Sequence, residues 1–408
     1  MDAVALPERN RYKKQRRQLD PQQLLTEARV AAGLSDFGGV RFIEPMTRLL
    51  DRAAREVDFS NEGLAGFKTD AIRYLVNRLR TQQAIQQHPE ILLEDVSDPV
   101  VVIGLPRSGT TKMQRMLAAA PDAQKLYLWR LLNPAPFPNA LAGKPDPRIA
   151  AIAMPGDLLA SDNESLQAAH EMAAGVVDEE TILFDFTWDS SVNGFNTYLP
   201  LFFHEAWVDG KDSEADREAY RFVRTLLQYL QWQDGGRGGK FGNRPWVLKT
   251  TFHLAHLDTL LECFPKATLV HCHRDPQTSM PSIAKLMCAV WGAKANVDAR
   301  LVGEGLLLWA SAATKRYLDA RQRLQLDGRI VDAKYEDIRD NALPIIREIY
   351  RRSGRQLTPE AEQSMQQWEK SSEQDQHGKH RYSLEEFGWT KAAIDQAFPE
   401  YIPRFIDR

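Results

Sequence analysis

The groups best suited to gripping an anion are gathered in one short run, Gly104-Leu105-Pro106-Arg107-Ser108-Gly109-Thr110-Thr111. An apolar stretch, Val100-Val101-Val102-Ile103, precedes the run, and Met113, Met116 and Leu117 follow it at helical spacing. A tight loop between a strand and a helix aims its backbone amides and the positive helix terminus at one point, where an anion can rest. Gly109 allows close backbone approach, Ser108, Thr110 and Thr111 offer hydroxyls, and Arg107 offers a charged fork. The chemistry expected is binding of a phosphate-bearing nucleotide. Magnesium-assisted attack on a triphosphate is disfavoured, because Thr110 stands where nucleoside-triphosphatase loops carry lysine.

Groups that could move a proton lie elsewhere. Lys249 closes the apolar run Pro245-Trp246-Val247-Leu248, a second cation at a strand end. His253 and His170 are the candidate bases, since imidazole titrates near neutrality. Glu171, beside His170 and ahead of the acidic run Asp178-Glu179-Glu180, could serve only with a raised pKa or an acidified substrate. His256 stands three residues after His253, but no carboxylate or cysteine is placed to complete a ligand set, so no metal site is expected. Phe184, Phe186, Trp188, Phe195, Tyr198, Phe202, Phe203 and Trp207 crowd the segment 184–207 of a chain only 9% aromatic. They suit either the wall of an apolar acceptor pocket or a helical core.

The loop Gly-Leu-Pro-Arg-Ser-Gly-Thr-Thr resembles that of sulfotransferases using 3′-phosphoadenosine 5′-phosphosulfate (PAPS), in particular the bacterial sulfotransferase family. The resemblance extends from the N-terminal helices to the segment 398–405. It implies that Arg107, Ser108, Gly109, Thr110 and Thr111 wrap the 5′-phosphosulfate. It also implies that Arg274, ending a strand, and Ser282, eight residues on, hold the 3′-phosphate. Tyr335, in Lys334-Tyr335-Glu336-Asp337, matches a tyrosine near the adenine, and Lys379 and Arg381 match a basic C-terminal loop over the 3′-phosphate. Cytosolic relatives carry a tryptophan against adenine where Lys112 stands, so that stacking role is unassigned. Lys249-Thr250 with His253-Leu254 is similar to the segment holding their catalytic histidine, with Thr251 and Phe252 inserted. The activity implied is transfer of a sulfuryl group from PAPS to a hydroxyl of a small apolar or aromatic metabolite. Adenosine 3′,5′-bisphosphate would be the product, and no metal would be required. A non-catalytic PAPS-binding module and a nucleotide kinase are the competing classes.

These residues need a scaffold, and the patterning predicts one. Apolar residues recur at helical steps from about residue 20 to 90, predicting an N-terminal helical extension over 1–95. Strands at 100–103, 245–249, 267–273 and 329–333 then alternate with helices from about 253, at 276–290, from about 301 to 325, and at 341–353. That order predicts an α/β fold with a three-layer parallel sheet of the P-loop nucleoside-triphosphatase-like type over 96–408. Residues 122–243 read as a helical insertion over the active site, ending in the glycine-dense run 235–239. The basic run Arg9 to Arg17 reads as a solvated, frayed end.

Composition bounds the partners. With 408 residues, 43% of them apolar, a large core is available, and a formal charge of −3 gives no global reason to expect nucleic acid. The three cysteines, Cys263, Cys272 and Cys288, lie in apolar surroundings and read as reduced thiols. No stretch approaches the length of a membrane span, and the N-terminal charges lack an apolar segment behind them. A cytoplasmic protein with a small-molecule acceptor is expected, and a homo-oligomer stays open.

Overall fold

The computed structural model describes residues 5–141, 143–152, 175–188, 212–236, 244–372 and 383–406, with side chains from residue 11 onward. At its centre are four parallel strands, β1 (Val100–Gly104), β2 (Val247–Lys249), β3 (Thr268–His273) and β4 (Ile330–Lys334), ordered β2-β1-β3-β4. β1 is an inner strand, pairing Val102 with Lys249 on one side and with Val270 on the other. All five of its residues are buried, which is why its sequence is an unbroken apolar run and not an alternating one.

Helices cover both faces. The first are α1 (Ala5–Gln18), α2 (Pro21–Ala32), α3 (Ile43–Glu56), α4 (Asn61–Gln87) and α5 (Thr110–Ala119). Then come α6 (Glu214–Gln233), α7 (Leu257–Cys263), α8 (Pro276–Gly292), α9 (Ala299–Arg323) and α10 (Tyr335–Asp340). The last are α11 (Leu343–Arg352), α12 (Pro359–Ser372), α13 (Lys391–Ala397) and α14 (Tyr401–Phe405). Val100, Val102, Val247, Val270, Cys272 and Val331 pack on α5, α11 and α12. On the opposite face Val101, Ile103, Leu248 and Leu269 join one apolar cluster with α2, α3, α4, α6, α8 and α9. The three-layer parallel α/β architecture is therefore present, and the helices before residue 95 share its core.

Two local expectations are corrected. The basic N-terminal run is helical and docked: the buried Gln15 amide donates to Ala54 O (3.0 Å) and Val57 O (2.9 Å), and Tyr12 donates to Asp51 (3.0 Å). Those carbonyls belong to the end of α3, where the helix cannot satisfy them itself, so Gln15 supplies the missing donor. Around 253 the chain makes a tight 3-10 turn over Thr251–Ala255 before α7 starts at Leu257. Among the described residues no helix is long and apolar enough to cross a membrane.

Candidate active site

β1 delivers the anion loop at the point where strand order reverses, the chain passing to β2 on one side and then to β3 on the other. Clefts at such switch points, beyond the carboxyl ends of the strands, are where open α/β sheets take ligands. The loop is strained into shape. Gly104 and Gly109 have positive φ (148° and 93°), and so does Arg107 (66°), a left-handed conformation that residues bearing a Cβ rarely adopt. A Cβ on Gly104 would sit 2.5 Å from Cys272 O, and one on Gly109 would sit 3.3 Å from Tyr335 and Ile338. Ser108 is buried and donates its hydroxyl to Leu105 O (2.6 Å), closing the loop on itself. Gly109 precedes α5 as its N-cap, so Thr110 and Thr111 open that helix.

The carboxyl end of β3 supplies the facing wall. Asp275 caps α8 by accepting from Gln277 N (2.8 Å), and Pro276 takes the first helical position. Arg274, just before that cap, donates to Arg107 O (2.7 Å), and its guanidinium lies 3.8 Å from the centre of the Tyr335 ring. Arg107 Nε in turn donates to Ser282 Oγ (3.2 Å). Residues from three well-separated stretches of sequence thus meet around one loop. Tyr335 opens α10 directly after β4. Lys112 points away from the loop, its ammonium contacting Arg339 O (3.0 Å) and Glu369 (2.6 Å) and so tying α5 to α10 and α12.

Beside β1, the end of β2 holds a second polar group. The Lys249 ammonium contacts Glu179, and the Lys249 backbone N–H donates to Glu180 Oε2 (2.7 Å). Glu180 Oε1 meets His253 Nε2 (2.7 Å), and the other ring nitrogen of His253 meets the Tyr220 hydroxyl (2.7 Å). His253 and Glu180 are each 1% exposed, whereas the Glu179 side chain keeps 20% of its surface. Both ring nitrogens of His253 are thus engaged within the protein, and the carboxylate beside Lys249 with open surface is Glu179. In sequence, Glu179 and Glu180 belong to an acidic run with nothing to distinguish them from a solvated patch. Burial pushes the Tyr220 phenol well up, with Asp212, Asp216 and Glu180 adding to the rise.

His256 turns away from His253, its Nδ1 meeting Asp212 (2.6 Å), so the two histidines do not share a ligand point. Two other groupings lie close enough to hold an ion, His271 with His273 and Asp332, and Asp212 with Asp216 and His256. In the first, Asp332 is already spanned by Arg321 (2.6 and 2.8 Å). In the second, Asp212 meets Arg316 and Thr259 as well as His256. Phe184, Phe186 and Trp188 are core residues, Phe184 edge-on to Tyr220 (4.9 Å) and the other two against Tyr74 (5.0 and 5.8 Å). His170, Glu171, Phe195, Tyr198, Phe202, Phe203, Trp207, Lys379 and Arg381 lie outside the described residues.

A profile described as "Sulfotransferase family" matches residues 99–360. The structure is similar to that of sulfotransferase STF9 from Mycobacterium avium, with a TM-score of 0.77 and 26% identity, over 95% of this chain and 97% of that one. It is also similar to sulfotransferase STF1 from Mycobacterium tuberculosis H37Rv, with a TM-score of 0.72 and 26% identity, over 92% and 97% of the two chains. No curated protein matches the sequence.

Proposed function

The chain belongs to the sulfotransferase family, and from that premise we propose that it transfers a sulfuryl group from PAPS to a hydroxyl of a small, apolar or aromatic molecule. The observation carrying this reading is the meeting of Arg107, Arg274, Ser282 and Tyr335 at the switch point. A donor with phosphate at both the 5′ and 3′ positions needs two separated anchors on one cleft. The loop Arg107, Ser108, Gly109, Thr110 and Thr111 is the anchor for the 5′ end, where backbone amides at the start of α5 meet the phosphosulfate. Arg274 and Ser282 are the anchor for the 3′-phosphate, and the ring of Tyr335 offers a face beside them. Lys379 and Arg381 are proposed to close over the same phosphate.

In the reaction the acceptor oxygen bonds to sulfur as the bond between sulfur and the 5′-phosphate oxygen breaks, and the acceptor's proton leaves to a base. Arg107, just beyond β1, and Lys249, the last residue of the adjacent β2, meet the charge that grows on the departing phosphate. We assign the base to Glu179, which touches Lys249 and retains open surface. His253 serves it indirectly: it fixes Glu180, and Glu180 ties the 178–180 turn to the Lys249 amide. His170 and Glu171 are the alternative proton acceptors.

Calorimetry with adenosine 3′,5′-bisphosphate and with ATP tests the donor site. The bisphosphate should bind the wild type more tightly than ATP, and Arg274→Ala should weaken it by about 10-fold or more, as expected for loss of a charge-assisted hydrogen bond. Preference for ATP would instead favour a kinase. Tight bisphosphate binding with no sulfuryl transfer to any hydroxyl compound would favour a non-catalytic sensor.

A further inference from the structure

Arg274 does not hold its position alone. The residue before it, His273, ends β3 in a buried cluster under the C-terminal helices. His273 Nε2 meets Asp332 (2.9 Å), so Nδ1 is the unprotonated nitrogen, and Nδ1 accepts from the Tyr401 hydroxyl (3.2 Å). The imidazole is stacked on Phe405, with ring centres 4.2 Å apart and planes 10° from parallel. His273 is the residue directly before Arg274, so what fixes its ring also fixes the backbone leading into Arg274. A second tie lies three residues on: Gln277, in the first turn of α8, donates to Asp395 of α13 (2.8 Å). The corner 273–277 that carries Arg274 is thus held from behind at both ends by α13 and α14.

We propose that Tyr401 is a positioning residue for the donor, acting through Arg274, and that the C-terminal helices α13 and α14 form the brace that sets its grip on the 3′-phosphate. This rests on the assignment of Arg274 to that phosphate. The chain of contact is short. Tyr401 fixes His273, the last residue of β3 and the neighbour of Arg274, and Arg274 bonds the carbonyl of Arg107 with its guanidinium over the Tyr335 ring. Removing the Tyr401 hydroxyl releases the back of that corner without touching any group that faces a ligand. Tyr401 is 1% exposed, so it contributes no direct contact to donor or acceptor.

The test is calorimetry on the full chain with two probes, adenosine 3′,5′-bisphosphate and adenosine 5′-phosphate, which differ only in the 3′-phosphate. Tyr401→Phe should weaken the bisphosphate by about fivefold, the loss expected for one hydrogen bond, and leave the 5′-phosphate within about twofold of wild type. In an Arg274→Ala background the same change should have no further effect on the bisphosphate, because the residue it positions is gone. Asp395→Ala, which frees Gln277 from the other end, should reproduce the selective loss and serves where Tyr401→Phe folds poorly. Equal weakening of both nucleotides, or full additivity with Arg274→Ala, overturns the proposal. If Arg274→Ala itself leaves bisphosphate binding unchanged, the assignment of the 3′-phosphate falls, and the brace falls with it. Selective loss in Arg274→Ala without selective loss in either brace variant overturns the brace alone.

Discussion

Glu179 and Glu180 are neighbours in sequence with opposite surroundings. Glu180 is sealed between the Lys249 amide and His253, while Glu179 reaches the Lys249 ammonium with part of its surface open. Glu179→Gln is therefore expected to lower kcat for any hydroxyl acceptor that is turned over by ~10²–10⁴-fold while bisphosphate affinity stays nearly constant, the pattern of a lost proton acceptor. Single-turnover kinetics with labelled PAPS reads this directly. Should His253→Ala or His170→Ala lose that factor while Glu179→Gln does not, the base is the histidine concerned. At this scale the convergence of the loop with Arg274 and Ser282 was legible in sequence, because the loop's parts are contiguous and the eight-residue spacing of the other two is local. The two glutamates were not, because their meaning depends on partners some 70 residues later, at 249 and 253.

Among the elements, the four strands were readable within a residue or two from their short apolar runs, whereas the helix expected from about 253 starts only at Leu257 and the short helix Tyr335–Asp340 after β4 was not foreseen. Nor was α1. Its charged residues dominate the pattern, and the two that matter, Tyr12 and Gln15, are polar residues in positions where periodicity looks for apolar ones. Gln15 completes the end of α3, and two carbonyls depend on it. Gln15→Ala is expected to destabilise the protein by about 1–3 kcal/mol, the cost of leaving buried backbone acceptors without a donor. A fall in the urea midpoint without change in bisphosphate affinity would verify it, since α1 packs on α3 whereas the anion loop is carried by β1 and α5. The aromatic run was ambiguous for a related reason: pocket wall and core share one composition, and only the burial of Phe184, Phe186 and Trp188 separates them.

For the whole molecule, the cluster behind β3 makes stability depend on pH. His271 is 1% exposed with neither ring nitrogen partnered among the described residues, and burial, then His273, drives its pKa well below the usual value. Burial also lowers His273, against the pull of Asp332, with Arg321 and Arg404 adding to the drop. Both groups bind protons more readily in the unfolded chain, so their contribution to stability is intact above the unfolded pKa of about 6.5 and is lost as pH falls below it. Each suppressed proton costs about 1.4 kcal/mol per pH unit in that window. Burial works to raise Asp332 and Asp212, but Arg321 and His273 hold the first far below the carboxylate range, and His256, Thr259 and Arg316 do the same for the second. Those two carboxylates begin to matter only under stronger acid. The melting temperature should therefore decline between pH 7 and 5, and His271→Phe should flatten that decline; an unchanged slope in the variant would remove His271 from the account. The inner place of β1 carries one more consequence, this time for biosynthesis. Its hydrogen-bonding neighbours are at 247–249 and 268–272, so the ribosome makes this apolar strand well before either partner exists. While the intervening segment is being translated, β1 can be neither paired nor covered on both faces. Pairings so distant in the chain form slowly, and a growing polypeptide that must keep such a strand exposed is a natural client for chaperones until translation passes β3.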